Sequence, residues 1–84
     1  MSSIDYSKLR SLTARRIEQA LLHEGFVLRR QHGATRIYRH SDGRRVTLHF
    51  HQGSQTFAIG TLKSIIEKQA QWKEEDLRRL SLLK

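Results

Sequence analysis

The sequence predicts a small α+β domain with the element order α-β-β-β-α and a short C-terminal helix. The spacing of apolar residues changes from a helical period of about 3.6 to a strand period of 2 at Phe26. Apolar and polar residues then alternate strictly from 46 to 51. The Ser-Asp-Gly segment at 41–43 is typical of a hairpin turn. Two helices on one face of a three-stranded meander would bury its apolar side.

The first helix is bounded by two capping residues. Thr13 is a favourable N-cap, and Leu12 before it can pack as a hydrophobic staple. Gly25 is placed to end the helix in a left-handed conformation that other residues avoid. The inward face of this helix would carry Ile17, Ala20 and Leu21. Residues 1–11 are polar, and we expect them to be frayed.

Three strands are expected at 26–31, 35–40 and 44–51, with a turn at 32–34. The third has the clearest alternation: Val46, Leu48 and Phe50 face one way, and Arg45, Thr47, His49 and His51 face the other. A second helix should begin near Ile59 or Gly60, and its inner face would carry Leu62, Ile65, Ile66 and Gln69. Acidic residues at 74–76 are typical of the first turn of a last helix.

The composition limits the protein class. A chain of 84 residues accommodates one domain, which we expect to span 1–84. The absence of cysteine excludes disulfides and thiolate metal sites. No run of about 18 apolar residues and no signal-peptide core is present, so we expect a cytoplasmic location with no membrane partner. Nothing indicates a small-molecule cofactor.

Positive charge is concentrated in the middle of the chain. The net charge is +8, and six arginines but one acid, Asp42, lie between 29 and 45. These arginines are Arg29, Arg30, Arg36, Arg39, Arg44 and Arg45. Guanidinium groups can hold phosphate through two parallel hydrogen bonds, so the cluster favours nucleic-acid binding over a merely solubilising face. Because strand residues alternate, all six cannot share one face, and Arg30 and Arg39 are candidates for the helix-covered side.

Aromatic and imidazole side chains accompany the arginines. Tyr38 is the aromatic residue expected on the basic side, where it could stack a nucleobase or pack on a neighbour. His40 could carry protons, although packing at the hairpin end is favoured. His49 and His51 form a His-x-His pair of a kind that binds metal. No third ligand is evident, so phosphate contact or solvation is favoured and no metal site is predicted.

Several motifs occur in a recognisable order. Gly-Phe at 25–26 and Arg-Gln-x-Gly at 30–33 precede Ile-Tyr-Arg-His-x-Asp-Gly-Arg-Arg-Val-Thr at 37–47. Gly-Thr-Leu-Lys-Ser-Ile-Ile at 60–66 and Trp-x-Glu-Glu-Asp-Leu at 72–77 follow. This ordered set resembles the HicA (YcfA-like) toxin family over nearly all of residues 13–82. The resemblance implies a fold like that of double-stranded-RNA-binding domains. It also implies a ribosome-independent mRNA interferase that a HicB-type antitoxin neutralises by covering the active face.

The sequence departs from the family at one position. Family members carry a Gly-x-His pattern at the start of the second strand, where this chain has Gly33-Ala34-Thr35. The resemblance therefore places Thr35 at the family's catalytic position. A threonine hydroxyl does not titrate near neutral pH, so it cannot act there as a general acid or base. His32, in the turn and beside Thr35, and His40 are the candidate proton carriers.

Three interpretations follow from the sequence. The protein is an active, metal-independent ribonuclease that uses a histidine other than the family's. Alternatively, it binds RNA without cutting it, because Thr35 replaces the catalytic residue. In the third interpretation, the basic face serves mainly to dock an acidic antitoxin.

Overall fold

The computed structural model describes residues 4–83 and confirms the α+β fold class and the predicted order of elements. A 3-10 helix at Tyr6–Leu9 precedes α1 (Ala14–Glu24), β1 (Val27–His32), β2 (Thr35–Arg39), β3 (Arg45–His49), α2 (Ile59–Lys63) and α3 (Glu74–Arg79). A π-helical segment, Ser64–Gln69, continues α2. None of the helices in 4–83 has the length and apolar character that crossing a bilayer requires.

Capping residues fix both ends of α1. The Thr13 hydroxyl accepts a hydrogen bond from the backbone N–H of Arg16 at 3.3 Å, as its N-cap position predicts. Gly25 ends the helix with a φ of 108°. A Cβ at this position would also lie 3.1 Å from Nε2 of His40, so glycine meets both a conformational and a steric requirement. The chain therefore passes directly from α1 into β1.

The three strands form an antiparallel sheet in the order β1-β2-β3. A two-residue turn joins β1 to β2, and Gly33 occupies it with a φ of 59°. The 41–43 turn joins β2 to β3 and places Tyr38 opposite Val46. Between Leu28 and Arg30 the pairing of β1 with β2 shifts by one residue. This bulge changes which side chains of β1 share a face with those of β2.

The core lies between α1 and one face of the sheet. Val46, Leu48 and Phe50 are buried there, which confirms the predicted alternation of β3. The first two helices contribute apolar side chains at the predicted positions, namely Ile17, Ala20, Leu21, Leu62, Ile65 and Ile66, and the last helix contributes Leu77 and Leu80. Trp72 is also buried. The opposite face of the sheet is not covered by α1 and does not contribute these core residues.

The N-terminal segment is ordered where the structure describes it. Tyr6 and Leu9 are buried in the core, and the Tyr6 hydroxyl donates a hydrogen bond to Glu67. The Asp5 carboxylate accepts from the backbone N–H of Ser7 at 3.0 Å and so caps the 3-10 helix. The expectation that residues 1–11 are frayed is wrong for 4–11, because two apolar side chains attach this segment to the core; 1–3 lie outside the described residues.

Gln69 joins the π-helical segment to the free edge of β3. Its side-chain oxygen accepts a hydrogen bond from the backbone N–H of Thr47 at 2.8 Å. Its amide nitrogen donates to the Ser64 hydroxyl at 3.1 Å. An edge strand presents unpaired backbone groups, and the Gln69 contact occupies one of them.

Asp76 stabilises the start of α3, and replacing it with alanine should lower the free energy of unfolding by about 1 kcal/mol. Its carboxylate accepts from the backbone N–H of Lys73 at 2.9 Å. That hydrogen bond is the main cause that lowers the pKa of Asp76 below 3.8. Because the pKa of Asp76 is lower in the folded than in the unfolded protein, ionised Asp76 stabilises the fold at pH values above its unfolded-state pKa. This contribution is lost as the pH falls through the folded-state pKa.

Urea denaturation at neutral pH and at a pH below the folded-state value would test this. The difference between wild type and Asp76→Ala should shrink on acidification. Asp76→Asn, which keeps an acceptor oxygen, should retain more of the stability at neutral pH. Equal losses for the two variants would contradict a capping role.

Candidate nucleic-acid interface

One face of the sheet is not covered by α1, and we call it the open face. Side chains directly opposite each other on antiparallel strands point to the same side. Tyr38 and Val46 form such a pair and are fully buried on the α1 side. Successive strand residues alternate, so their neighbours point to the other side. The open face is thereby defined by the strand register.

Three rows of side chains cross the open face. They are Val27–Arg39–Arg45, Arg30–Ile37–Thr47 and His32–Thr35–His49. Arg29 lies at the bulge beside the second row. Arginines thus occupy one end of the face and two histidines the other, while none of the three strands contains an acidic residue.

The arginine-rich end forms a shallow cavity of about 580 Å³. Arg29, Arg30, Arg39 and Arg45 line it, around the apolar side chains of Val27 and Ile37. All four arginines are exposed, and within 4–83 none of them forms an ion pair with a carboxylate. Their guanidinium groups are therefore available to an anion from outside the chain.

Arg36 lies on the α1 side of the sheet and not on the basic face, where it was predicted to contact phosphate. Its Nη1 donates to the Glu18 carboxylate at 2.8 Å. Its guanidinium carbon also lies 4.6 Å from the centre of the Phe50 ring. The cause is register: Arg36 is opposite Leu48, which is buried in the core.

Arg44, a second predicted phosphate contact, already has partners within the protein. The side chain donates to Asp42 at 2.7 Å and to the backbone oxygen of Ala70 at 2.6 Å. It lies 5.0 Å from the centre of the Phe26 ring and 3.7 Å from Glu24. It thereby ties the hairpin to the end of the π-helical segment.

The arginines on the helix-covered side are not the ones that were expected there. Arg30 and Arg39 were the candidates for the helix-covered side, but both belong to rows of the open face. Arg36 and Arg44 take the covered positions instead.

Tyr38 does not face the basic side, which corrects the expectation that it stacks a nucleobase. The side chain is fully buried, and its hydroxyl donates a hydrogen bond to Glu18. Burial, and then the hydrogen bond to Glu18, raise the pKa of Tyr38. A ring without exposed surface cannot stack on a ligand, so packing on its neighbours is the correct alternative.

His40 packs at the hairpin end, as favoured, and is separate from the other candidate proton carriers. Its ring meets the Phe26 ring edge-on, with centres 5.0 Å apart. Nε2 lies 3.1 Å from the backbone oxygen of Glu24, and Nδ1 lies 3.1 Å from the backbone N–H of Asp42. His40 follows the last residue of β2 and is five positions along the chain from Thr35, a distance of about 17 Å in an extended strand. The structure therefore does not bring His40 together with Thr35 and His32.

Thr35 and His32 lie together on the open face, and His49 joins them. Thr35 is opposite His32 on β1 and opposite His49 on β3. The Thr35 hydroxyl lies 2.9 Å from Nδ1 of His49. His49 was not predicted to be catalytic, although the hairpin turn at 41–43 already implies that it lies opposite Thr35.

A groove of about 470 Å³ begins beside this histidine row. His49 and Thr47 form its sheet side, and Gln55, Phe57, Thr61 and Gln69 are among the residues of its other side. The groove is lined by apolar and amide side chains and lies next to the imidazole of His49, so an extended ligand could occupy it.

No group of three metal-ligating side chains occurs within the described range 4–83. His49 and His51 therefore stand without the further ligands that a metal centre on protein side chains requires.

The comparisons with known proteins agree with this fold. The profile of the family described as the HicA toxin of bacterial toxin-antitoxin systems matches residues 14–72, which include α1, the whole sheet and α2. No curated protein gives a significant match. The match covers most of the 84-residue chain, and the observed arrangement of helices and antiparallel strands fits that family. The chain therefore belongs to the HicA toxin family, the toxins of bacterial toxin–antitoxin systems.

Proposed function

We propose that this toxin binds mRNA on its open face and cleaves it without a metal ion, and that a HicB-type antitoxin neutralises it. The observation that carries the proposal is the open face itself, where Arg29, Arg30, Arg39 and Arg45 are exposed and have no carboxylate partner among residues 4–83. Such a surface suits a polyanionic backbone, because arginine binds phosphate through two parallel hydrogen bonds.

The chemistry requires no metal. The 2′-oxygen of a ribose attacks the adjacent phosphorus, the bond from phosphorus to the 5′-oxygen breaks, and a 2′,3′-cyclic phosphate and a 5′-hydroxyl result. A base must take the 2′-proton, an acid must protonate the 5′-oxygen, and cations must stabilise the phosphorane charge. Arg30, in the row beside the histidines, is well placed to stabilise that charge.

An acidic antitoxin would use the same surface. Unpaired arginines attract carboxylates as well as phosphates, and a protein covering the open face would exclude RNA. A HicB-type partner with an acidic contact surface fits this role, so RNA and antitoxin should compete.

Thr35 supports a second candidate function, a toxin relative that binds RNA or antitoxin without cutting RNA. A hydroxyl group cannot replace an imidazole in proton transfer near neutral pH. If no other residue performs that transfer, the open face remains a binding surface only.

Incubation of the purified protein with mRNA in EDTA, between pH 6 and 8, separates the two functions. The proposal expects cleavage, with 2′,3′-cyclic phosphate and 5′-hydroxyl ends on the products. Substrates with a 2′-deoxyribose at the cut position should stay intact. Addition of the antitoxin should abolish cleavage.

Binding without cleavage at micromolar protein would favour the second candidate. Cleavage that EDTA prevents would contradict metal independence. If RNA does not bind at low salt while an acidic antitoxin binds tightly, the open face is a protein-docking surface and the RNA-directed proposal is wrong.

A further inference from the structure

A row of three residues places two histidines on either side of Thr35. His32 on β1 and His49 on β3 are both directly opposite Thr35 on β2. Both histidines are exposed. Two strand spacings separate them, so their Cβ atoms lie about 10 Å apart. A phosphodiester positioned over Thr35 would have an imidazole on each side.

Thr35 also contacts one of the two rings directly. Its hydroxyl lies 2.9 Å from Nδ1 of His49. A threonine hydroxyl can accept a hydrogen bond from Nδ1–H, and in that tautomer Nε2 has a free lone pair. Within 4–83, Nε2 of His49 has no hydrogen-bond partner. The hydroxyl at the family's catalytic position thus holds an imidazole whose second nitrogen is free to accept a proton.

We propose that His49 and His32 are the proton-transfer pair of the RNA-cleaving site, and that Thr35 positions His49. This inference rests on the proposed function. Nε2 of His49 takes the proton of the 2′-hydroxyl as the 2′-oxygen bonds to phosphorus. Protonated His32 gives its proton to the 5′-oxygen as the bond from phosphorus to that oxygen breaks. One proton is taken and one is given, so the protein's net charge is unchanged.

The other histidines lack this placement. His40 uses both ring nitrogens in contacts at the far end of β2. His23 lies on α1, away from the sheet's open face. His51 lies beyond the end of β3 and has no partner in the strand register. The pair is therefore selected by register, because only positions 32 and 49 are opposite Thr35.

Single substitutions by glutamine test the pair. His49→Gln and His32→Gln should each lower the cleavage rate by roughly 10²–10⁴-fold, the usual contribution of a general acid or base. RNA affinity should stay close to that of wild type, because the arginines remain. His23→Gln is the matched control: it changes an exposed histidine remote from the row and should cleave at the wild-type rate.

Two substitutions at Thr35 separate positioning from packing. Thr35→Val keeps the shape of the side chain but removes the hydroxyl, so it should lose much of the cleavage rate. Thr35→Ser keeps the hydroxyl and should cleave at close to the wild-type rate. Thr35→His/His49→Gln adds a further readout, since an imidazole restored at the family's position should cut RNA without His49.

The outcomes separate failure of this inference from failure of the proposed function. If wild type cleaves RNA and His49→Gln cleaves equally well, the pair is wrong and the ribonuclease function stands. If Thr35→Val cleaves as Thr35→Ser does, the positioning role is wrong. If wild type binds RNA but cuts none, the ribonuclease function is wrong, and the catalytic pair is wrong with it.

Discussion

Replacing Tyr38 with alanine should lower the free energy of unfolding by about 3–5 kcal/mol, the usual cost of removing a large buried aromatic side chain. The ring is fully buried opposite Val46, and its hydroxyl donates to Glu18. The substitution would leave a cavity and would also remove one hydrogen-bond donor from the Glu18 carboxylate. A domain of this size has a total stability of roughly 4–13 kcal/mol, so the substitution should remove a large part of it and would unfold a domain at the low end of that range.

Urea denaturation followed by circular dichroism would measure the loss. Ile37→Ala is the matched control, because Ile37 is the adjacent residue on β2 but lies on the open face and is only partly buried. Tyr38→Phe retains the ring and should cost about 1 kcal/mol through the lost hydrogen bond. A loss for Tyr38→Ala no larger than that for Ile37→Ala would mean that Tyr38 is not in the core.

The double variant Arg39→Gln/Arg45→Gln should bind RNA much more weakly than wild type. The two residues are directly opposite each other on β2 and β3 and form the arginine end of the open face. Removing two phosphate contacts should reduce the slope of log K against log salt by about 1.4 for single-stranded RNA. If the variant and wild type bind equally at about 1 M salt, this change in slope corresponds to a roughly 25-fold lower affinity of the variant at about 0.1 M salt.

Fluorescence anisotropy with a labelled RNA at several salt concentrations would measure both quantities. Arg10→Gln/Lys68→Gln is the charge-matched control, because both residues are exposed and lie outside the sheet. Folding should not suffer in the test variant, since like charges directly opposite each other on neighbouring strands are unfavourable. An equal loss in the control would show that net charge, rather than the open face, determines affinity.

Local patterns in the sequence were sufficient to predict α1 and the three strands of this fold. The capping residues Thr13 and Gly25 fixed α1, and the alternation of β3 fixed its buried face. Helix caps and strand alternation depend on residues that are close together in the sequence, so they can be predicted from it. The 3-10 helix is ordered because Tyr6 and Leu9 contact the core, which is distant in the sequence. No local sequence pattern predicts these contacts.

The faces of the arginines were harder to predict, for a physical reason. Alternation within one strand leaves its phase undetermined, and Tyr38 was placed on the wrong face for that reason. The backbone N–H of His40 donates to the oxygen of Arg44 at 2.9 Å, and this pair sets the register of β2 with β3. The turn at 41–43 implies the same pairing, so Tyr38 opposite Val46 could have been inferred. The shift of pairing near Arg30 on β1 could not, because no residue there demands a bulge.

The Gln69 contact with Thr47 has a consequence for how copies of this protein behave at high concentration. A sheet grows from one molecule to the next only where a straight edge offers unpaired amides and carbonyls. The amide of Gln69 occupies one of these groups on β3, the backbone N–H of Thr47. On β1, the bulge beside Arg30 bends the other edge, and adjacent guanidinium groups repel an identical strand. Both edges of the sheet therefore carry features that disfavour the addition of a strand from a second copy.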